Sequence, residues 1–510
     1  MTHLLLRRGA FALAAAMTFT HISVASDDFT KPLDAFMDAQ DESPLAPPSY
    51  SLVVANGEKV LYSRLKGERV LGSGDALTMD HRLYIASVSK SFTGLLAAKL
   101  DADGVLSLDA TLKDEWPSLD LPAPIDASKI TMRMLLSHNF GFECDPLVVR
   151  TAYLGDTPVA DYEAILEQHS VPIEPGFSYD NLGYLIYAAV LERKTGRSWQ
   201  SWLASDIHMP LGLSTATNVP SEIPEGEIAL GYHYSPLDKA GWAEAPAKAD
   251  DLVHPAGGHF ISSADAVRWL QANMTHAVLE GEIYEVAQTA YAKREPAKKY
   301  ADMSCDGYGL GWQNCDYAGH RVFYHGGTYD GMMIFMMFLP DDNLAVASIN
   351  RARAFGWTYG WNASQQAIDY VLGLADADKN AERRLDGRVA SHVRYAQFRA
   401  RIREDALHDA ARPEAAALRA ALPGQYSSPA YGAATVCDAD GKLVFKAGRF
   451  SAELLAGTGG KGYMLERAYG EPSKVEMTLA SDSKVTFKWE GGTFERTGDA
   501  ACLGEKEQSR

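Results

Sequence analysis

Positive charge, cysteine and long apolar runs are all scarce in this 510-residue chain. Its 48 lysines and arginines are outnumbered by 66 aspartates and glutamates, for a net charge of −18. That balance argues against nucleic acid or an anionic membrane surface as a partner, because phosphate binding rests on clustered basic side chains. Past the first 25 residues no apolar run approaches the roughly 18 residues of a membrane span, so no membrane span is expected in the mature chain. Neither CxxC nor HExxH spacing occurs among the five cysteines and 14 histidines, so no metal or other cofactor is expected. No internal repeat is present, which removes solenoids and propellers from consideration.

What is present begins with the pattern of an export signal. Arg7 and Arg8 precede the apolar run GAFALAAAMTF, and Ser23-Val24-Ala25 supplies the small residues of a cleavage site. A signal peptide over 1–25 and a periplasmic or secreted product are expected; a buried first helix is the structural alternative. In an exported chain five cysteines allow two disulfides. The simplest pairing joins Cys305 to Cys315 and Cys437 to Cys502, and leaves Cys144 as a thiol. The acidic neighbours Glu143 and Asp145 raise a thiol pKa, which argues against a cysteine nucleophile.

SLVVANGEKVLYSR alternates apolar and polar residues around Asn56-Gly57, a hairpin signal, and predicts that two strands open the mature fold. Helical segments follow, one from Ser87 to about Gly104, others over 181–196 and in SADAVRWLQANM, with Pro- and Gly-rich loops between. RVFYHGGTYDGMMIFMMFLPDDNLAVASIN reads as three strands with turns at Gly-Gly and Pro-Asp-Asp. Strands at both extremities with helices between them predict one antiparallel sheet flanked by helices. A charged, helix-prone connector covers 379–422, and short β-rich runs over 423–510 predict a small antiparallel barrel or sandwich. The division expected is a signal peptide (1–25), a main α/β domain (26–378), the connector (379–422) and a β-domain (423–510).

The helix expected at Ser87 places Ser87 and Lys90 on one face, at its positive end. A lysine serves as a base only when burial or neighbouring cations keep it neutral, and Ala86, Val88 and Phe92 supply apolar cover. The four-residue pattern alone does not distinguish this from a capping serine beside a surface lysine, since Ser63 to Lys66 and Ser481 to Lys484 satisfy it too.

Two further motifs supply context. Tyr179-Asp180-Asn181 precedes a helix, and His325-Gly326-Gly327-Thr328 lies at a strand end. Ser-x-x-Lys, Tyr-x-Asn and a basic residue before x-Gly, in that order, resemble the serine penicillin-recognising enzymes. The resemblance is closest to the branch holding class C β-lactamases, DD-peptidases, D-aminopeptidases and related esterases, and ITMRMLLSHNFGF, HMPLGLSTAT, HPAGGHFISSADAVRW and GYGLGW agree with it over roughly residues 29–374. It implies a β-lactamase-like α/β fold, an antiparallel sheet flanked by helices plus a helical subdomain. It also implies Ser87 as nucleophile, Lys90 and Tyr179 as partners in proton transfer, and Asn181 as a holder of the substrate amide. Backbone N–H groups of Ser87 and Thr328 would form the oxyanion hole, with His325, Gly326 and Gly327 lining the substrate strand. The β-rich end resembles the lipocalin-like barrels appended to some members.

Two residues depart from the β-lactamase pattern. His325 stands where lysine is usual and attracts a carboxylate less near neutral pH; packing against or orienting Tyr179 is its other reading. Asp180 would repel an anionic substrate, or else simply cap the helix. His138 suggests a serine–histidine pair, but no acidic partner is spaced for it, so it is expected to be structural. The implied activity is an exported serine hydrolase acting through an acyl-enzyme on D-amino-acid-containing peptides, with cell-wall peptides as the expectation by analogy, or on related amides and esters. A carboxylesterase, a β-lactamase and a non-hydrolytic peptidoglycan- or β-lactam-binding sensor are the alternatives.

Overall fold

The computed structural model describes residues 29–43, 46–155, 157–234, 241–295, 302–439, 441–465, 473–479 and 485–499. The expected signal segment, Cys502 and the Ser481 to Lys484 match lie outside them. The described chain opens with a helix rather than with the expected strands: in α1 (Thr30–Asp41), Leu33, Phe36 and Met37 recur at helical spacing and are buried. The hairpin follows as β1 (Tyr50–Ala55) and β2 (Val60–Lys66), which carries the Ser63 to Lys66 match. Its turn is held by the Asn56 side chain, whose Oδ1 accepts the N–H groups of Glu58 and Lys59 at 3.0 and 2.8 Å.

Helices α2 (Ser89–Ala102), α3 (Leu182–Thr195) and α4 (Ser263–Thr275) come next. Six strands complete the sheet: β3 (Ala292–Lys293), β4 (Met303–Tyr308), β5 (Gln313–Tyr317), β6 (His320–Tyr329), β7 (Met332–Leu339) and β8 (Leu344–Asn350). The order across the eight-stranded sheet is β2-β1-β8-β7-β6-β5-β4-β3, so the first hairpin pairs with the last strand, Val53 opposite Ala347.

β7 shows why MMIFMMFL is apolar throughout. Met333, Phe335, Met337 and Leu339 join the core under α1 and under helix α5 (Arg353–Leu372), whereas Ile334, Met336 and Phe338 join the core that holds α2 and α4. A strand buried on both faces needs no polar alternation. The expected turn at Gly326-Gly327 is not a turn. β6 runs through both glycines and reverses at Asp330-Gly331, where Gly331 takes φ 67°.

The connector is a helix, α6 (Ala377–Ala410). Its first turns are locked to the main domain by Arg384, which donates to Asp369 at 2.7 Å and to the Tyr317 hydroxyl at 2.8 Å, all buried. Its far end meets the C-terminal strands, which close an eight-stranded barrel between Gly424 and Gly498; Asp409 accepts the Thr458 N–H and hydroxyl there. The barrel also docks on the segment ending at Leu154, whose side chain enters the barrel core. Arg449 donates its N–H to the Leu154 carbonyl at 3.0 Å and its guanidinium to Asp251 at 2.6 Å. Among the described residues no helix is long and apolar enough to cross a membrane.

Cys305 and Cys315 lie directly opposite each other in β4 and β5 and form a disulfide, and Cys437 is also disulfide-bonded. Cys144 is a buried thiol, pushed up to about 11 by desolvation above all. Peptide mapping under non-reducing conditions is expected to recover Cys305 linked to Cys315 and to find Cys144 alkylated only after denaturation. Recovery of Cys144 in a bridge, or its rapid alkylation in the native protein, would contradict this.

Candidate functional site

Ser87 does not begin a helix as expected; it sits in a tight turn ahead of one. The strand Arg82–Tyr84 ends, Ala86 takes the left-handed value φ 47°, residues 86–88 form one 3-10 turn, and α2 starts at Ser89. A non-glycine residue there is strained by about 1–3 kcal/mol, so the surroundings must hold it. They do. Arg82–Tyr84 pairs with Phe260–Ser262, the Ile85 N–H donates to His259 O at 3.1 Å, and the His259 N–H donates to Ser89 Oγ at 3.0 Å. Thr93 Oγ1 donates to Pro255 O at 2.7 Å, so the whole loop 254–259 is stapled along the start of α2.

That staple brings an acceptor to Lys90. The buried Lys90 Nζ lies 3.3 Å from Ser87 Oγ, 2.6 Å from Asn181 Oδ1 and 3.1 Å from the Ala256 carbonyl. Desolvation lowers its pKa to about 7, the nearby Asp180 opposes the change, and a second lysine, Lys248, adds to it. A neutral amine has two N–H bonds and one lone pair. Asn181 Oδ1 and Ala256 O take the two N–H bonds, which leaves the lone pair for the Ser87 hydroxyl.

Tyr179 completes the cluster. Its phenol is hydrogen-bonded with Ser87, and its ring centroid is 4.8 Å from Lys90 Nζ. Desolvation of the phenol raises its pKa and the bond to Ser87 opposes this; because the residue is 46% exposed to the cleft, water weakens the rise. His138 holds the loop carrying Tyr179. It is buried with φ 61°, its carbonyl accepts the Ser178 N–H at 2.9 Å, its Nδ1 accepts the Asp180 N–H at 3.2 Å, and its ring lies 4.5 Å from that of Tyr179. Asp180 Oδ1 accepts the Leu182 N–H at 3.0 Å, capping α3, while its charge also reaches Lys90 and Tyr179. The capping reading of Asp180 therefore holds, and its charge has a further influence on the lysine and the tyrosine.

The third motif lies on β6. Pairing with β5 ends at Tyr324 opposite Gln313, whereas pairing with β7 continues to Tyr329. Among the described residues, 325–329 thus present one strand edge with no strand beside it. Gly327 lets this edge close on the serine turn, since a Cβ there would lie 2.3 Å from the Ile85 carbonyl. Thr328 is exposed at the edge. His325 is only 1% exposed; Tyr308 Oη lies 3.0 Å from its Nε2, Gly326 O lies 2.8 Å from its Nδ1, and burial, with Lys90 adding to it, lowers it to about 3. It is neutral at working pH and sits 6.1 Å from the Tyr179 ring, centroid to centroid.

The structure thus gathers Ser87, Lys90, Tyr179, Asn181 and the 325–328 strand. Sequence reasoning passed over the Ala256 carbonyl, Tyr308 and Lys248. The first two lie in HPAGGHF and GYGLGW, stretches already notable for their pattern, while nothing in the neighbourhood of Lys248 marks it. Among the described residues no group of three or more His, Cys, Asp and Glu side chains is arranged to hold a metal.

Comparison with known proteins agrees with this geometry. The family model described as Beta-lactamase matches residues 37–352. Penicillin-binding protein 4 of Amycolatopsis lactamdurans is 26% identical over 285 residues, 54% of this chain and 74% of that protein. Unguisins hydrolase of Aspergillus campestris is 25% identical over 332 residues, 61% of this chain and 59% of that protein, so the chain spans less than two thirds of that relative. In fold, the octameric penicillin-binding protein homologue from Pyrococcus abyssi superposes with a TM-score of 0.56 at 21% identity, covering 92% of this chain and 99% of that one.

The Gly327 contact carries a test. Gly327→Ala places a methyl against a backbone carbonyl that cannot move without displacing the serine turn. It is expected to cost about 1–3 kcal/mol of stability in thermal denaturation and to slow modification of Ser87 by a fluorophosphonate. Wild-type stability and labelling in the variant would show that the strand edge does not press on the turn.

Proposed function

The chain belongs to the Beta-lactamase family and is a serine hydrolase of that family, and from that premise we propose that Ser87 is its nucleophile, activated by a neutral Lys90. The observation that carries the reading is the environment of Lys90 Nζ: two acceptors for its two N–H bonds, and Ser87 Oγ 3.3 Å away for its lone pair. At neutral pH a group near 7 is substantially deprotonated, whereas a phenol raised above 10 is not. This asymmetry favours Lys90 as the base that takes the Ser87 proton and Tyr179 as the acid that delivers one to the leaving group. Ser87 Oγ then bonds to the substrate carbonyl carbon, and the backbone N–H groups of Ser87 and Thr328 receive the oxyanion. Asn181, its Oδ1 engaged by Lys90, keeps its Nδ2 to orient the substrate amide. Gly326 and Gly327 let an extended substrate lie along the free edge of β6, and His325 positions that edge and Tyr179 through packing and Tyr308. Water hydrolyses the acyl-enzyme with the same two groups in reversed roles.

The substrates proposed are D-amino-acid-containing peptides and related amides or esters. Carboxylester hydrolysis is the second reading, favoured by the neutral, buried His325, which puts no cation at the third motif to select an anionic β-lactam. Export and cleavage after residue 25 are also proposed. The Cys305–Cys315 disulfide supports an oxidising compartment. The boundaries 26–378, 379–422 and 423–510 remain the proposed domain division.

Several measurements bear on this reading. Intact mass after fluorophosphonate treatment is expected to show one adduct on the wild type and none on Ser87→Ala; equal labelling would exclude Ser87. Lys90→Arg keeps the charge and loses the lone pair, so acylation is expected to fall by about 10²–10⁴-fold, and near wild-type acylation would leave Tyr179 as the base. In the wild type, kcat/KM for acylation is expected to rise with pH through about 7 as Lys90 loses its proton. Asp180→Asn removes an anion that favours protonated Lys90 and keeps the cap on Leu182, so the midpoint is expected to move to lower pH. An unmoved or raised midpoint would show that Asp180 acts only as a cap.

A further inference from the structure

A second buried lysine lies beside this site with no hydrogen-bond or ion-pair partner among the described residues. Lys248 is 4% exposed, its Nζ makes no hydrogen bond, and no carboxylate lies within ion-pair distance of it among the described residues. Burial alone lowers it, to about 7. Burying an amine without a partner is costly, and replacement by an apolar side chain of the same length would remove that cost. Two aromatic rings face the amine, but neither supplies the hydrogen-bond acceptor that it lacks.

Lys248 lines a cavity with Tyr84, Phe260, Tyr329 and Asp330, and its Nζ stands 4.0 Å from the centroid of the Tyr329 ring and 5.2 Å from that of Tyr84. Both rings belong to the catalytic neighbourhood. Tyr329 follows Thr328 on the free edge of β6, and Tyr84, three residues before Ser87, donates its hydroxyl to Gly257 O, next to the carbonyl that holds Lys90. The cavity is partly open and has a volume of about 20 Å³, room for one water-sized group. Asp330, the acid on the wall, is paired with His233 rather than with Lys248. Among the described residues near the cleft, Lys90 has Asn181 and Ala256 as acceptors and Arg294 donates to Gln313. Tyr329, one of the cavity's walls, is only partly buried and is next to the exposed Thr328 in sequence.

We propose that this cavity is a substrate subsite in which Lys248 receives one oxygen of a carboxylate. It rests on the acyl-enzyme reading above and narrows it: the preferred amide or ester carries an acidic group that lies beyond Thr328 along the β6 edge. The aromatic walls exclude water around the pair, and a charged acceptor restores the hydrogen bond that the buried amine lacks. Recognition of an anion is thereby moved away from His325, which is neutral, to a residue on a different loop.

The test compares a depsipeptide ester bearing a free terminal carboxylate with the same compound capped as its primary amide, on the full-length protein. Lys248→Met is expected to lower kcat/KM for the free acid by about tenfold or more relative to the capped compound, mainly through KM, and any fall shared by the two compounds reports the influence of Lys248 on Lys90. Lys248→Gln, which keeps polarity without charge, is expected to show the same selective loss. An equal fall for both compounds, or no fall for the acid, would overturn the proposal. A binding arm separates it from the hydrolytic reading. Saturation-transfer NMR with 3-phenylpropionate on Ser87→Ala is expected to show binding that disappears in the Ser87→Ala, Lys248→Met double variant. If neither ester is turned over by the wild type, the substrate reading fails and this arm decides alone: unchanged binding in the double variant overturns the subsite.

Discussion

Removal of water from one amine governs the site. Lys90 is enclosed within a helix whose residues from Ser89 to Ala98 are all buried, and desolvation is the largest influence on its proton. In water a lysine ammonium near 10.4 would donate to Ser87 and never accept from it. Lowered to about 7, the same amine is largely neutral at working pH, as its proposed role of base requires. Asp180 works against this shift and Lys248 works with it, so the balance is a compromise between capping a helix and keeping an amine neutral.

The rest of the fold serves to hold the acceptors around that amine. Ala256 O arrives because loop 254–259 is stapled to α2, and Asn181 arrives because His138 grips the preceding loop through both its carbonyl and its ring. The strand edge arrives because glycine at 327 permits contact with the Ile85 carbonyl, and glycine at 94 does the same where a Cβ would lie 1.6 Å from Leu310 O. Close backbone approach on two sides helps to keep Lys90 buried. The barrel takes part at a distance: it docks on the segment ending at Leu154, whose neighbour Tyr153 lies parallel to Tyr329, ring centroids 6.0 Å apart, at the end of the edge strand.

Much of this was legible from local patterns. Asn56-Gly57 marked its hairpin because the turn's bonds are made within four residues, and the three ordered motifs marked Ser87, Lys90 and Tyr179 because their chemistry needs those residue types. The misreadings share a cause in tertiary contact. Gly326-Gly327 resembles a turn, yet there the missing Cβ matters for approach between segments and not for φ. The opening helix was passed over because its buried face is short, and Ser87 was placed on a helix because a single 3-10 turn with a left-handed Ala86 has no sequence mark. His325 was already expected to be mostly neutral, and its burial makes it more so. Lys248 was invisible, since a buried unpaired lysine looks like any surface lysine until the chain is folded around it.

The most direct test of the central claim is the charge of Lys90 itself. NMR titration of protein labelled at the lysine side-chain nitrogens follows each ε-amine, and loss of one resonance in Lys90→Arg, with Lys248→Met removing the other candidate, assigns the signal. The account predicts a Lys90 resonance that titrates near 7. A Lys90 amine that stays protonated until pH values ordinary for lysine, about 10.4, would contradict it.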